Sequence, residues 1–128
     1  MASVHMIKSA CGGTEEFMSG TVLFNTAGDS IIFEFNEEAT IDDVLLNVTS
    51  ATSGDEFNIE IWYPSSDQTA PVGDLSLSGT DGHFFLNSSE GVGKIWYRIP
   101  ARGHLRVTNT TLDSTAQVNL VALGRGGA

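Results

Sequence analysis

At 128 residues the chain has room for one domain around a single core, and a hydrophobic content of 41% excludes wholesale disorder. A net charge of −10 speaks against nucleic acid as a partner, because phosphates would be repelled. No apolar run approaches the ~18–20 residues of a membrane-spanning helix, so no membrane partner is expected.

The first sixteen residues, Met1 to Glu16, read as a polar arm ahead of one domain over 17–128. They lack the basic stretch and apolar run of a secretion signal. Cys11 in this arm is the one cysteine, so no internal disulfide can form. Three glycosylation sequons begin at Asn47, Asn87 and Asn109, and without a signal they read as accidents of composition.

Beyond the arm, short alternating segments follow one another: 20–25, 30–36, 44–50, 56–63, 74–78, 83–87, 94–99, 105–110 and 117–123. Period two means β-strand. Gly, Asp and Ser mark the turns between them, as in Ala27-Gly28-Asp29 and Ser53-Gly54-Asp55. Thr40 with Asp42 and Asp43 offers a helix start, but Val44, Leu46 and Val48 alternate with Leu45, Asn47 and Thr49, which favours a strand from Val44. The stretch from Pro64 to Gly73 holds two prolines and reads as the longest connection, not a central strand.

Eight or nine such strands make an all-β fold, an antiparallel two-sheet β-sandwich, jelly-roll-like, with an extended N-terminal arm. Its inward set is Val22, Phe24, Ile31, Phe33, Phe35, Val44, Leu46, Val48, Phe57, Ile59, Ile61, Leu75, Leu77, Ile95, Tyr97, Ile99, Leu105, Val107, Val118, Leu120 and Ala122. Immunoglobulin-like paired cysteines are missing.

Catalytic equipment is not legible. There is no Gly-x-Ser-x-Gly elbow, and His5, His83 and His104 lie far apart in the chain, so no enzyme is expected. One Cys and three scattered His make no zinc set. Asp29, Asp55, Asp67, Asp74 and Asp81 sit at turns where calcium ligands occur, but Asp is also the ordinary turn residue, and no metal or other cofactor is assigned. Gly91-Val92-Gly93-Lys94 lacks the rest of a phosphate loop.

What remains is surface. Ile-Trp-Tyr occurs twice, at 61–63 and 95–97, and contains both Trp and both Tyr residues. Alternation turns Ile and Tyr inward and Trp62 and Trp96 outward, Trp62 beside Glu60 and Trp96 between Lys94 and Arg98. Outward aromatics imply a covered surface, and Trp and Arg are frequent interface anchors. Charge is also divided. Residues 1–93 hold fifteen acids and one base, Lys8, whereas residues 94–128 hold five bases and one acid, Asp113. The candidate protein interface is therefore Trp62, Trp96, Glu60, Lys94, Arg98, Arg102 and Arg106, with Glu60 meeting Lys94 or Arg98 of a neighbouring copy. A flat aromatic with a polar rim also suits sugars, which leaves a carbohydrate-binding module, calcium-assisted or not, as the alternative.

The order Trp96-Tyr97-Arg98-Ile99-Pro100-Ala101-Arg102-Gly103-His104-Leu105-Arg106-Val107-Thr108, leading into Ala116-Gln117-Val118-Asn119-Leu120-Val121-Ala122-Leu123-Gly124-Arg125, resembles small all-β virion proteins of tailed bacteriophages. These are of the capsid decoration, cement or head-fibre type. The likeness covers the last 35 or so residues and the strand rhythm. It implies a structural protein on the capsid surface, a homo-oligomer (a trimer) that binds the major capsid protein or another virion protein, or else a tail or fibre component.

Overall fold

The computed structural model describes residues 3–9, 14–87 and 96–126. Among them are eleven strands: β1 (Ser3–Lys8), β2 (Thr14–Met18), β3 (Val22–Phe24), β4 (Ser30–Phe35), β5 (Ala39–Thr49), β6 (Glu56–Tyr63), β7 (Gln68–Ser76), β8 (Gly82–Phe85), β9 (Tyr97–Ile99), β10 (His104–Thr111) and β11 (Ala116–Gly126). The front sheet runs β1-β4-β10-β6-β7. The back sheet runs β2-β11-β5-β8, with β3 also on β11 and β9 also on β5. The expected all-β sandwich is present.

Alternation builds the layer between the sheets. In β6, Phe57, Ile59 and Ile61 are buried while Asn58, Glu60 and Trp62 are half-buried on the opposite side. Phe17 of the back sheet meets Phe35 of the front sheet edge to face, ring centroids 5.1 Å apart. Of the expected inward set, Val22, Leu75 and Tyr97 pack at the margin, partly buried. Ile95 lies outside the described residues. Phe17, Ala39, Ile41, Ala51 and Ala116 join the core without having been in that set.

Three sequence expectations change. The segment read as a polar arm is strand where it is described: β1 pairs in parallel with β4, and β2 pairs with β11. Its alternation is real but muted, with Val4, Met6 and Lys8 half-buried and His5 and Ile7 exposed, as suits an edge strand. Lys8 turns inward at that edge, donating from Nζ to the Met18 carbonyl at 2.8 Å and lying 4.9 Å from the Phe33 ring centroid. It thereby ties the two sheets together, and an inward lysine also discourages further strand pairing. Second, the stretch from Pro64 is a four-residue turn followed by β7, not a long connection. Among the described residues β7 pairs only with β6, and Pro71 sits beside a register shift between Ile59 and Glu60, so its missing N–H falls where an edge strand tolerates it. Third, β5 starts at Ala39, so the ambiguous Ile41–Leu46 is wholly strand. A bulge there, opposite Leu123 and Gly124, leaves Asp42 unpaired in the ladder. A side chain at Gly124 would collide with the Thr40 carbonyl.

Candidate functional site

Register across the front sheet places outward residues in rows. One row is Ile7, Glu34, His104, Trp62 and Thr69; the next is His5, Ile32, Arg106, Glu60 and Pro71. Four strands far apart in sequence thus bring an aromatic, two histidines and two ion pairs to one face. Trp62 is held from two sides. Its indole N–H donates to Asp67 Oδ1 at 2.9 Å, and its ring lies 4.6 Å from the His104 ring. Asp67 occupies a left-handed conformation, φ 53°, in the turn after β6, one that Asp tolerates better than most side chains. Directly across the ladder, Arg106 donates to Glu60 Oε1 from both Nε, at 3.0 Å, and Nη2. Asn58 donates to Asp74 at 2.8 Å in the following row.

The histidines are the main surprise. His5 Nε2 lies 2.7 Å from Glu34 Oε1, His104 Nε2 lies 3.6 Å from the same oxygen, and the two rings meet at 5.2 Å. The hydrogen bond to His5 holds the Glu34 carboxyl below its usual range, with Arg102 adding to the effect. Burial pushes His104 below the usual imidazole value, although Glu34 pulls the other way. The reading of scattered histidines was therefore incorrect for His5 and His104. Only pairing of β1, β4 and β10 assembles them, and no local spacing signals it.

The back sheet presents a different outer face. Register aligns Met18, Val121, Leu45 and Phe85 in one row across β2, β11, β5 and β8. Their inward neighbours, such as Phe17, Leu120 and Leu46, are buried. Met18 is 51% exposed, and Val121, Leu45 and Phe85 also reach solvent. Leu123 lies beside Val121 on the same face of β11, whereas Leu23, 51% exposed, stands apart at β3 opposite Gln117. Alternation already marks Leu45 as outward; that it has apolar neighbours on both sides is a matter of register.

The candidate interface residues divide between these faces. Trp62, Glu60 and Arg106 are on the front sheet. Trp96, 62% exposed, and Arg98 are on the back-sheet side, where Arg98 lies 3.4 Å from Glu38 of the same chain. Arg102, φ 69°, is exposed in the turn between β9 and β10, its N–H bonded to the Phe35 carbonyl at 2.7 Å. Lys94 lies outside the described residues. Glu60 and Arg98 thus have partners within the chain.

Four of the five aspartates read as turn residues sit in separate turns or loops, whereas Asp74 lies within β7, opposite Asn58. Asp29 accepts from the Asn25 and Thr26 amides, Asp55 from Thr52 and Asp113, and Asp81 from Ser50. Asp67 and Asp74 hold Trp62 and Asn58. Among the described residues the one grouping of three possible metal ligands is His5, Glu34 and His104. Of the sequon asparagines, Asn87 and Asn109 are buried.

No family model and no curated protein matches this chain. Solved structures do. A chain of infectious bursal disease virus, Gx strain, aligns over 94% of this chain at TM-score 0.57 and 15% identity. The C-terminal family 22 carbohydrate-binding module from Clostridium thermocellum aligns over 93% at TM-score 0.52 and 14% identity, spanning 85% of that chain. A family two carbohydrate esterase from Cellvibrio japonicus aligns over 90% at TM-score 0.52 and 8% identity. This chain spans about a third of the viral chain and of the esterase, 34% and 35%. At such identities the likeness is one of fold: a jelly-roll-like sandwich that viral capsid proteins and carbohydrate-binding modules share.

Proposed function

We propose that the protein is a non-enzymatic structural subunit of a virion, a capsid decoration or cement protein that self-associates as a trimer and binds the major capsid protein. The observation that carries this reading is the apolar row Met18, Val121, Leu45 and Phe85 across the whole back sheet. A contiguous apolar strip that reaches solvent, exposed at Met18 and half-buried at Val121, Leu45 and Phe85, on a small acidic domain is a surface for another protein. Trp96 and Arg98, beside the other end of β5, are of residue types that anchor interfaces. The likeness to a viral capsid fold and to phage virion proteins agrees with this role. Co-sedimentation with capsid shells tests it. Binding that is lost in Leu45→Lys but kept in Trp62→Ala is expected; no co-sedimentation, or loss only in Trp62→Ala, contradicts it.

One observation favours a second reading. The front face offers an aromatic ring, Trp62, among Asn58, Glu60, Arg106 and Asp74, a polar rim of the kind a sugar uses. A carbohydrate-binding module would use that face. A fluorescence titration with a glycan panel, with and without chelator, checks it: quenching abolished by Trp62→Ala supports the reading, and no response to any glycan removes it.

A further inference from the structure

Three adjacent strands of the front sheet bring two imidazoles and a carboxylate to one spot on its outer face. His5 comes from β1, Glu34 from β4 and His104 from β10. One ligand atom from each lies within 4.8 Å of the others. Donors around a tetrahedral zinc ion, with bonds near 2.0–2.1 Å, sit about 3.3 Å apart. The separations from Glu34 Oε1, 2.7 Å to His5 and 3.6 Å to His104, straddle that value. The two imidazole nitrogens lie within 4.8 Å of each other, so side-chain rotation would have to bring them together around the ion. His5 is on an edge strand with its side chain 46% exposed, which lets it adjust.

We propose that His5, Glu34 and His104 bind a divalent transition metal of the zinc type, with water completing the coordination. The donor set selects the metal. Imidazole nitrogen suits zinc, copper, nickel and cobalt, whereas calcium and magnesium want oxygen alone. His104 is fixed by the Trp62 ring packed on it at 4.6 Å, so one ligand is positioned in advance. Two cations stand nearby and oppose binding. Arg106 is neutralised by Glu60, while Arg102 is exposed to solvent, where its charge is screened. The metal would clasp β1, which among the described residues pairs only with β4, to a strand one further in. It would also leave open positions on the same face as Trp62, available to a donor from outside the chain.

Zinc titration by calorimetry tests the site. It is run on a Cys11→Ser background, because a thiol also takes zinc. One zinc per chain is expected, with no response to calcium or magnesium. His5→Ala and Glu34→Gln should each weaken binding about tenfold or more. His83→Ala, a histidine on the opposite sheet, should change nothing. Cobalt substitution gives a second readout, visible absorption that appears in the parent and disappears in His5→Ala. Should His104→Ala fail to fold, His5→Ala still decides. Absent zinc binding, binding unchanged in both His5→Ala and Glu34→Gln, or equal loss in His83→Ala overturns the proposal.

Discussion

The two outer faces of this sandwich are made by the same rule and carry opposite chemistry. On the front sheet the outward positions of β4, β10 and β6 include Glu34, His104, Arg106, Glu60 and Trp62, and these neutralise or hold one another within the chain. On the back sheet the outward row is Met18, Val121, Leu45 and Phe85, apolar side chains aligned across four strands, with the His83 ring beside Phe85. A face whose polar groups are already paired gains little from a partner. A face of exposed apolar side chains gains about 25 cal/mol for each Å² covered. The comparison separates the place where the fold spends its charges from the place where it awaits another surface.

The largest expected effect comes from breaking what both faces share. Phe33→Ala empties a fully buried site of the core and should cost about 3–5 kcal/mol in urea unfolding, with loss of both faces' functions. A cost under about 1 kcal/mol would mean the two sheets are not packed as described. The front face alone is disturbed by Glu60→Ala. It leaves Arg106, 28% exposed, without its carboxylate, and should cost about 1 kcal/mol by the same assay. Glu60→Ala together with Arg106→Ala should cost less than the two single changes added, since the pair is lost only once.

A smaller effect of the front face is its pH dependence, measured in chelator. His104 is depressed by burial, so below about pH 6.5 the unfolded chain binds more protons than the folded one and stability declines. Glu34 is also depressed, and adds a further decline below about pH 4.5. Above these values neither group contributes a slope. His104→Gln should remove the upper part of the decline and Glu34→Gln the lower. An unchanged onset in His104→Gln would contradict the assignment.

Alternation carried much of the fold into the sequence. Glu56–Tyr63 is a strand with the limits its pattern predicts, and Trp62 and Leu45 face outward as period two requires. Edges were harder. In β1, Val4 and Met6 do alternate with His5 and Ile7, but an edge strand is only half sheltered and its polar residues disguise it. Pro71 disguised β7 for a related reason, because an edge permits what a central strand forbids. The site was the least legible part. Residues 5, 34 and 104, or 18, 45, 85 and 121, become neighbours only through register between strands distant in the chain, and nothing local encodes that. Of the repeated Ile-Trp-Tyr, Trp62 lies in the front sheet and Tyr97 in the back sheet, a separation that only strand pairing determines.

Light scattering coupled to size-exclusion chromatography tests the central claim, that the back-sheet row binds protein subunits, most directly. At micromolar concentration the chain should elute as an oligomer, fall to a monomer of 13.6 kDa in Leu45→Lys, and stay oligomeric in Trp62→Ala. A parent chain that is monomeric and binds no shells, or an oligomer indifferent to Leu45→Lys and Met18→Lys, would contradict it.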